Sequence, residues 1–409
     1  MIDQEYTGKN LYQYTTQNER RDYVIPVGIA HPTKFSKEDF ILKLDRVCDR
    51  IYDHTYTFSF SFHGDFLKNS HPHSSFDRLA QDLILRHLHS IISKIYSARQ
   101  TNRQNIVRYL KDFLMQHCTI KGQPIFMLRL DIRKFYPSIN KDSIMTRLRE
   151  SSLLSNESLF LLDGILRHSP AGLPMGISVS ASLSEYAMEK FDKIILRTSG
   201  VLYYKRYVDD IIVICSSQVI ADKLWDDIPN MLKKFSLSIN HNKSKRISFC
   251  SQIPISGYNH NEMTYLGYTF RFDGSLVTVH ISDRKIREIK RRVIASLINW
   301  NKTHDFRLLE DRLRFLTGNC RFINCYDSIP TYSGIKHNYI HITQSGEEIL
   351  YELDRFMQGL INSKNSSLGS SLSPHHKQHL SKYTFSGGYH NDIIHRFSPE
   401  RIGQINRIW

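Results

Sequence analysis

The sequence predicts an α+β fold in which an antiparallel sheet is followed by a mostly helical C-terminal region. Two runs rich in aromatic and β-branched residues, Val201–Tyr204 and Ile211–Ile214, flank a tight connection and indicate a β-hairpin. A strongly apolar run that ends at Asp131 indicates a further buried strand. Near the C-terminus, apolar residues recur at helical spacing, for example in Glu347–Ile361.

Size and composition are those of an ordinary globular protein that holds more than one subdomain. The chain has 409 residues, of which 41% are hydrophobic and 23% are charged. Its formal net charge of +15 favours a polyanionic partner, and nucleic acid is the commonest one. No apolar run is long enough to span a bilayer, and the N-terminus lacks the pattern of a signal peptide. The six cysteines are scattered without a CxxC pair, which predicts a cytoplasmic, reducing setting without disulfides or zinc.

The connection of the first hairpin carries two adjacent carboxylates, Asp209 and Asp210. Two anions at the tip of a buried hairpin are costly, because like charges repel and burial disfavours both. A divalent cation such as Mg²⁺ would offset this cost, since it prefers carboxylate oxygens. The alternative is an exposed turn that simply favours aspartate.

Asp131 supplies a third carboxylate at the end of another predicted core strand. If both strands are central in one sheet, Asp131 and Asp209–Asp210 converge. Three carboxylates at one edge form a two-metal site for in-line phosphoryl transfer. In a site of this type one ion would activate a 3′-hydroxyl and the other would stabilise the leaving pyrophosphate.

Other segments have weaker signals that depend on this context. The loop Ser169–Ser182 contains glycines ahead of a long helix, which lets the backbone approach a ligand closely. Asp273-Gly274 predicts a second hairpin. The basic amphipathic helix from Ser282 suits a nucleic-acid backbone or a membrane surface, and the carboxylates favour nucleic acid. At the N-terminal end, the residues from Arg20 to Pro26 resemble a short strand.

The order of these segments is that of a palm polymerase: aspartate strand, glycine-rich loop and helix, Asp-Asp hairpin, lysine strand, second hairpin. From about Arg103 to Phe270 the chain resembles the reverse transcriptases. Leu130–Tyr136 is similar to the first catalytic motif of that family, and Tyr207-Val-Asp-Asp210 matches its hallmark tetrapeptide. The resemblance implies a right-hand polymerase with fingers, palm and thumb.

The resemblance also assigns roles to individual residues. Asp131, Asp209 and Asp210 would be catalytic metal ligands, with the carbonyl of Ile132 as an additional ligand. Lys243 would help to protonate pyrophosphate. The implied nucleotide-binding residues are Arg133, Lys134, Phe135, Tyr136, Pro174, Met175 and Gly176. Among them the aromatic gate, Tyr136, would exclude a ribose 2′-hydroxyl.

Residues that hold the nucleic acid follow from the same resemblance and from the basic patches. The implied primer grip is Tyr265, Leu266, Gly267 and Tyr268. The cations expected to contact a nucleic-acid backbone are Arg103, Arg108, Lys285, Lys290, Arg291 and Arg292. Two departures from the family affect the nucleotide pocket: Met175 replaces a glutamine, and Ala181 replaces a proline.

The expected domains are an N-terminal region with fingers (1–123), a palm (124–281, with a fingers insertion at about 140–170), thumb helices (282–330) and a helical C-terminal region (331–409). The expected activity is RNA-directed DNA synthesis with two Mg²⁺ ions, for which Mn²⁺ can substitute. Expected ligands are deoxynucleotide triphosphates, an RNA template and the DNA product, with no membrane.

Within the family, the chain resembles bacterial antiphage enzymes of the abortive-infection-like and "unknown group" types. The similar segments are Asn102–Leu110 and the tail that contains Gly387-Gly-Tyr389. This implies a role in antiviral defence, a structured non-coding RNA as template, and a homo-oligomer or partner protein. Two alternatives stay open: template-independent or protein-primed DNA synthesis by the same site, and an RNA-binding assembly module without catalysis.

Overall fold

A computed structural model describes residues 4–25, 34–70, 75–96, 102–323, 330–363 and 367–409. The strands are β1 (Phe60–His63), β2 (Phe66–Asn69), β3 (Ile125–Asp131), β4 (Val201–Tyr207), β5 (Asp210–Cys215), β6 (Lys245–Phe249), β7 (Asn259–His260), β8 (Glu262–Tyr265), β9 (Tyr268–Phe272), β10 (Val277–Ile281), β11 (Asn319–Ile323), β12 (Pro330–Gly334) and β13 (Ile394–His395). The mixture of helices with mainly antiparallel strands confirms the α+β class.

The helices are α1 (Gly8–Gln13), α2 (Gln17–Tyr23), α3 (Lys37–Tyr52), α4 (Ser75–Lys94), α5 (Arg103–Leu114), α6 (Phe135–Ser138), α7 (Lys141–Ser151), α8 (Asn156–Arg167), α9 (Ser178–Leu196), α10 (Gln218–Lys233), α11 (Asp283–Thr303), α12 (Phe306–Thr317), α13 (Ile335–Asn338), α14 (Glu348–Asn362), α15 (Ser367–Ser370), α16 (Pro374–Leu380), α17 (Phe385–His390) and α18 (Pro399–Asn406). A π-helical turn, Met115–Ile120, follows α5, and a 3₁₀ turn, Gln344–Glu347, precedes α14. In the part of the chain described, no helix is both long and apolar enough to cross a bilayer.

The chain divides into two compact units, each with segments from distant parts of the sequence. The first unit comprises the described residues within 1–101 and 125–246. The second unit comprises those within 102–124, 247–324 and 329–409. The expected fingers, palm and thumb boundaries remain predictions, and residues 324–329 of the expected thumb lie outside the described ranges.

The sheet of the first unit is organised around β5, which pairs antiparallel with β4 on one side and with β3 on the other. Every residue of Ile211–Cys215 is fully buried, because β5 has neighbours on both edges and helices cover the sheet. Helix α9 packs against both β4 and α4. The predicted hairpin is therefore confirmed; its second strand, β5, lies inside the sheet, whereas its first strand, β4, is a half-buried edge strand.

Within the second unit, β9 pairs with β8 and β10 in an antiparallel meander, and the predicted turn at Asp273-Gly274 joins β9 to β10. Helices α11 and α12 follow and pack against each other. The C-terminal region is mostly helical, but β12 and β13 flank β11 in a small mixed sheet.

The strand expected from Arg20 is wrong for Arg20–Tyr23, which form the end of α2, whereas Val24 makes an isolated β-bridge with Phe35. Thr16 caps this helix, and the Glu19 carboxylate accepts a hydrogen bond from the Thr16 backbone N–H, which completes a capping box. The predicted end of the strand, Pro26, lies outside the described residues.

Candidate active site

Three aspartates lie side by side at one end of the sheet in the first unit. Asp131, the last residue of β3, is the direct cross-strand partner of Asp210, the first residue of β5. On its other edge Asp210 pairs with Tyr207, so that Val208 and Asp209 form a two-residue loop. The convergence expected from the sequence is thus present in the strand register.

The loop that carries Asp209 is conformationally demanding. Val208 has a φ of 59°, in the left-handed region that a β-branched residue rarely adopts. Such a conformation costs on the order of 1–3 kcal/mol and persists only where the surroundings hold it. One such contact is the hydrogen bond from the Ile132 N–H to the Asp209 carbonyl, at 3.0 Å.

The backbone of Asp131 is fixed from the segment that follows α10. The Asp131 N–H donates to Ser244 Oγ at 3.1 Å, and its carbonyl accepts from the Asn240 N–H at 2.8 Å. Ser244 Oγ in turn donates to the Asn240 carbonyl at 2.9 Å. The same segment carries Lys243, so these bonds place the lysine beside the first aspartate.

Two cations form ion pairs with two of the three carboxylates. Arg129 lies two residues before Asp131 and binds Asp210 with two parallel bonds, Nε–Oδ1 at 3.1 Å and Nη2–Oδ2 at 3.0 Å. Lys243 Nζ lies 3.4 Å from Asp131 Oδ2, and its side chain is 64% exposed. The lysine therefore reaches into solvent, whereas the arginine fork holds Asp210 against the sheet.

Asp209 and Asp210 are harder to ionise than ordinary carboxyls. Burial raises the pKa of Asp209, and the negative charges of Asp131 and Asp210 raise it further. Burial also raises the pKa of Asp210, although Arg129 opposes this shift. The cost of holding several anions together, inferred from the sequence, is thus present in the fold.

The chemistry of the donors fits a hard divalent cation, because carboxylate oxygens are its preferred ligands. Asp131 and Asp209 both line one groove, described next. Asp210 would have to share its oxygens with Arg129 in order to contribute. Among the residues that the structure describes, no three His, Cys, Asp or Glu side chains are arranged to hold a metal ion.

The groove in front of the aspartates has a volume of about 1180 Å³. Arg133, Lys134 and Lys243 supply positive charge along it, and Tyr136 and Phe62 supply aromatic surface. Other predicted nucleotide-binding residues on its wall are Phe135, Pro174 and Met175, and Ile132, predicted as a metal ligand, also lines it. A groove with acidic side chains, basic side chains and aromatic faces can accommodate the phosphates, the sugar and the nucleobase of a nucleotide.

Tyr136 lies half-buried in this groove. Burial raises the pKa of its hydroxyl, a hydrogen bond with Ser184 of α9 lowers it, and the charges of Glu185 and Asp209 raise it. The hydroxyl is therefore close both to α9 and to the loop formed by Val208 and Asp209.

The glycine-rich loop packs directly on the Tyr136 segment. At Gly172, with a φ of 60°, a Cβ would lie 2.4 Å from the carbonyl oxygen of Tyr136, so only glycine fits. The Leu173 N–H donates to that same carbonyl at 2.9 Å. Farther along, the Met175 carbonyl accepts from the Leu67 N–H at 2.7 Å, which joins the loop to β2. At Gly176 a Cβ would lie 2.7 Å from the Leu67 carbonyl oxygen.

Residues 67–270 match the family model described as reverse transcriptase (RNA-dependent DNA polymerase). The chain contains a reverse transcriptase domain. The matched family is one of RNA-dependent DNA polymerases, and the α+β polymerase fold expected from the sequence is confirmed.

Solved structures similar to the chain include telomerases, all at low identity. Apo telomerase from Candida tropicalis, truncated of its C-terminal domain, is 17% identical with a TM-score of 0.36, covering 51% of this chain and 49% of that one. Telomerase from Candida albicans in complex with a TWJ fragment of telomeric RNA is 11% identical with a TM-score of 0.41, covering 86% of this chain and 63% of that one. The chain thus spans less than two thirds of these telomerases. No curated protein matches the chain.

The reverse transcriptase domain extends into the second unit, which contains the residues predicted as primer grip. Tyr265 and Tyr268 are paired and fully buried, and Leu266 and Gly267 form the two-residue loop between them. Leu266 has a φ of 46° and Gly267 a φ of 83°. Arg103 donates to the Leu266 carbonyl from both Nε (3.0 Å) and Nη2 (2.7 Å).

The predicted backbone-binding cations all lie in the second unit, and several of them contact other side chains. Lys285 and Arg292 both bind Glu288, at 2.8 and 2.6 Å. Lys290 lies over the ring of Phe356, 5.2 Å from its centre. Arg108, over the ring of Tyr109, and Arg291 are exposed. Of the six predicted cations, Arg108 and Arg291 are therefore the most accessible to a phosphate group.

Sequence reasoning missed several supporting residues of the reverse transcriptase domain. Arg129 could have been found, since alternate residues of a strand share a face and Arg129 precedes Asp131 by two. Arg206 adjoins the hallmark tetrapeptide, yet nothing local shows that its side chain is buried. Its partners, Glu185 and Asp192 on α9, are seven residues apart and so share one helix face.

Proposed function

We propose that this chain is an active RNA-directed DNA polymerase that adds deoxynucleotides to a 3′-hydroxyl at the Asp131–Asp209–Asp210 site. The observation that supports the proposal most is the pairing of Asp131 with Asp210 beside a groove that also contains Asp209, Lys243 and Tyr136. Acid, base and aromatic groups in this arrangement match the needs of nucleotidyl transfer.

In this proposal Asp131, Asp209 and Asp210, with the Ile132 carbonyl, hold two Mg²⁺ ions, for which Mn²⁺ can substitute. Bound divalent ions supply Lewis-acid activation of the 3′-hydroxyl and neutralise charge on the pyrophosphate. Arg133 and Lys134 bind the triphosphate from the groove wall. Catalytic deoxynucleotide addition should therefore require both the aspartates and a divalent ion.

Lys243 acts on the leaving group. Its exposed ammonium lies beside Asp131 at 3.4 Å and can give a proton to pyrophosphate as the bond to the α-phosphate breaks. Tyr136 sets sugar selection, because its half-buried ring occupies the groove wall where a 2′-hydroxyl would lie. The loop of the predicted primer grip, Leu266-Gly267, and the exposed cations of the second unit hold the nucleic-acid strands.

The test is incorporation of labelled deoxynucleotides by the purified chain on an RNA template with an annealed DNA primer and Mg²⁺. Asp209→Ala combined with Asp210→Ala should abolish incorporation, whereas Arg149→Lys, in an exposed ion pair with Asp163, should not change it. Incorporation that survives the double alanine change would refute the assignment. Product covalently joined to protein would instead indicate protein priming.

Tyr136→Ala tests sugar selection separately. Removing the ring should let ribonucleotides enter, so the ratio of deoxy- to ribonucleotide incorporation should fall by at least about tenfold, which corresponds to 1.4 kcal/mol of discrimination. The matched control is Tyr136→Phe, which keeps the ring and removes only the hydroxyl. An unchanged ratio in the alanine variant would remove this role from Tyr136.

We further propose a bacterial, cytoplasmic role in antiphage defence, with a structured non-coding RNA as template and a homo-oligomer or partner protein as the assembly. This proposal rests on the resemblance of Asn102–Leu110 and of the tail around Gly387-Gly-Tyr389 to the defence enzymes. Sequencing the nucleic acid that co-purifies with the chain from its host should return one structured RNA. A random sample of cellular RNA would contradict it.

A further inference from the structure

A buried ion cluster lies directly behind the loop that carries Asp209. Its members are Arg206 on β4 and two acids of α9, Glu185 and Asp192. The Arg206 side chain is only 2% exposed, and the two carboxylates are 6% and 9% exposed. Charges this deeply buried are stable only if every hydrogen-bonding position is used.

The guanidinium of Arg206 is fully engaged. It binds Asp192 through Nε (3.0 Å) and Nη2 (2.8 Å), and Glu185 through Nη1 (2.9 Å) and Nη2 (2.7 Å). The Tyr204 hydroxyl also donates to Asp192. Two bidentate carboxylates fix the plane of the guanidinium and leave it no freedom to rotate.

One further bond joins this cluster to the catalytic loop. Arg206 Nη1 donates to the carbonyl oxygen of Val208 at 3.1 Å. Val208 is the residue with positive φ, and the next residue is Asp209. The bond therefore holds the peptide that connects Val208 to Asp209.

We propose that Arg206 is a positioning residue: the Arg206–Glu185–Asp192 cluster fixes the Val208 carbonyl and thereby orients the Asp209 carboxylate for metal binding. This inference rests on the proposed polymerase function. A loop that is strained at Val208 would relax without the bond, and Asp209 would turn away from Asp131. The same α9 segment contains Ser184, which is hydrogen-bonded to Tyr136, so helix α9 contacts both the cluster and the aromatic gate, Tyr136.

Arg206→Lys tests the proposal. Lysine keeps the charge, but its single nitrogen cannot bind two carboxylates and the Val208 carbonyl in this planar arrangement. We expect the dissociation constant for Mn²⁺, measured from the electron paramagnetic resonance signal of free Mn²⁺, to rise about tenfold, the scale of lost outer-sphere support. The Mg²⁺ concentration for half-maximal incorporation should rise equally, and turnover should recover at saturating Mg²⁺. A folded variant with wild-type affinity for both ions would overturn the proposal.

A second variant keeps the test decisive if Arg206→Lys does not fold. Glu185→Gln removes one charge but leaves the bonds to Asp192 and Val208, so we expect a smaller rise in the same direction. Unchanged metal affinity in this variant would overturn the proposal. Arg149→Lys, a surface change in the same unit, is the matched control and should shift neither constant.

A double-variant cycle shows whether the effect passes through the loop. Val208→Gly allows the positive φ without strain, so the anchor becomes less important. Arg206→Lys should therefore weaken Mn²⁺ binding less in the Val208→Gly background than in wild type. Equal weakening in both backgrounds would overturn the loop-mediated role.

Failure of this inference and failure of the proposed function give different results. A wild-type chain that binds Mn²⁺ through Asp209 but incorporates no deoxynucleotide refutes the polymerase function, while the Mn²⁺ titrations still decide the role of Arg206. Normal incorporation with unchanged metal constants in both Arg206→Lys and Glu185→Gln refutes only the role of Arg206.

Discussion

Two hairpins of the molecule, one in each unit, share the same construction. Tyr207–Asp210 and Tyr265–Tyr268 both close with a two-residue loop whose first residue is apolar and has a positive φ, 59° at Val208 and 46° at Leu266. In both, an arginine binds the carbonyl oxygen of that first residue. The two loops differ in their second residue, which is Asp209 in one and Gly267 in the other.

The arginines are held in different ways. Arg206 is buried between two carboxylates, so its position is fixed by charge. Arg103 is bound to no carboxylate that the structure describes. It donates two hydrogen bonds to the Leu266 carbonyl and lies over the ring of Tyr268, 5.7 Å from its centre. The loop that carries the Asp209 carboxylate is thus backed by an ion cluster, whereas the Leu266-Gly267 loop is backed by a single cation. The difference indicates how much rigidity each task needs.

The largest difference should appear in catalysis. Asp209→Asn keeps the size of the side chain but removes its charge, and incorporation of deoxynucleotides should fall below detection, because a neutral amide is a poor ligand for Mg²⁺. Leu266→Ala, at the other loop, should leave measurable turnover. Primer extension on an RNA template measures both, and similar turnover in the two variants would contradict the comparison.

Loss of the two arginines should separate the loops in stability. Arg206→Met removes the positive charge between two buried carboxylates and should lower the free energy of unfolding by about 3–5 kcal/mol. Arg103→Met leaves the Leu266 carbonyl without its donor and should cost only about 1–3 kcal/mol. Urea unfolding followed by circular dichroism measures both changes. Equal costs would show that the Arg206 cluster has no special energetic role.

Gly267→Ala should have a smaller effect. The residue has a φ of 83°, and an added Cβ would lie 2.9 Å from Nη2 of Arg103, which must move. A left-handed non-glycine residue costs roughly 1–2 kcal/mol, so the melting temperature should drop by a few degrees. Gly64→Ala is the control, since it also has positive φ but open space around it. A larger loss at Gly64 would contradict the steric argument.

The smallest effects should follow from glycine at the first loop positions. Val208→Gly and Leu266→Gly both relieve a positive φ but loosen the unfolded chain, and these terms oppose each other. Each should change the free energy of unfolding by less than about 1 kcal/mol. A change well beyond this in either loop, measured by urea unfolding, would mean that the apolar side chain itself is needed there.

The sequence predicted the first hairpin well, because a run rich in β-branched and aromatic residues lies on each side of Asp209–Asp210, as is typical of two strands joined by a turn. The turn at Asp273-Gly274 was equally predictable, because Asp-Gly between two strand-like runs is a strong signal for a hairpin turn. The capping box is also visible in the sequence, since Thr16 is followed three residues later by Glu19, and this pattern favours a helix over the strand predicted from Arg20. Local signals of this kind suffice where one pattern dominates.

Long-range partners could not be predicted from local patterns. β13 pairs in parallel with β11, although more than seventy residues separate Asn319 from Ile394. The same holds for Arg206, whose two acids lie on a helix earlier in the chain. A charged residue is expected at the surface unless its partners are known, so burial of this cluster becomes visible only in three dimensions.

The most direct test of the polymerase assignment is the sequence of the DNA that the purified chain makes on an RNA of defined, non-repetitive sequence. We expect DNA complementary to that RNA, made only with a divalent ion, and none from the variant with Asp209→Ala and Asp210→Ala. DNA unrelated to the supplied RNA, or complementary DNA from the double variant, would contradict it.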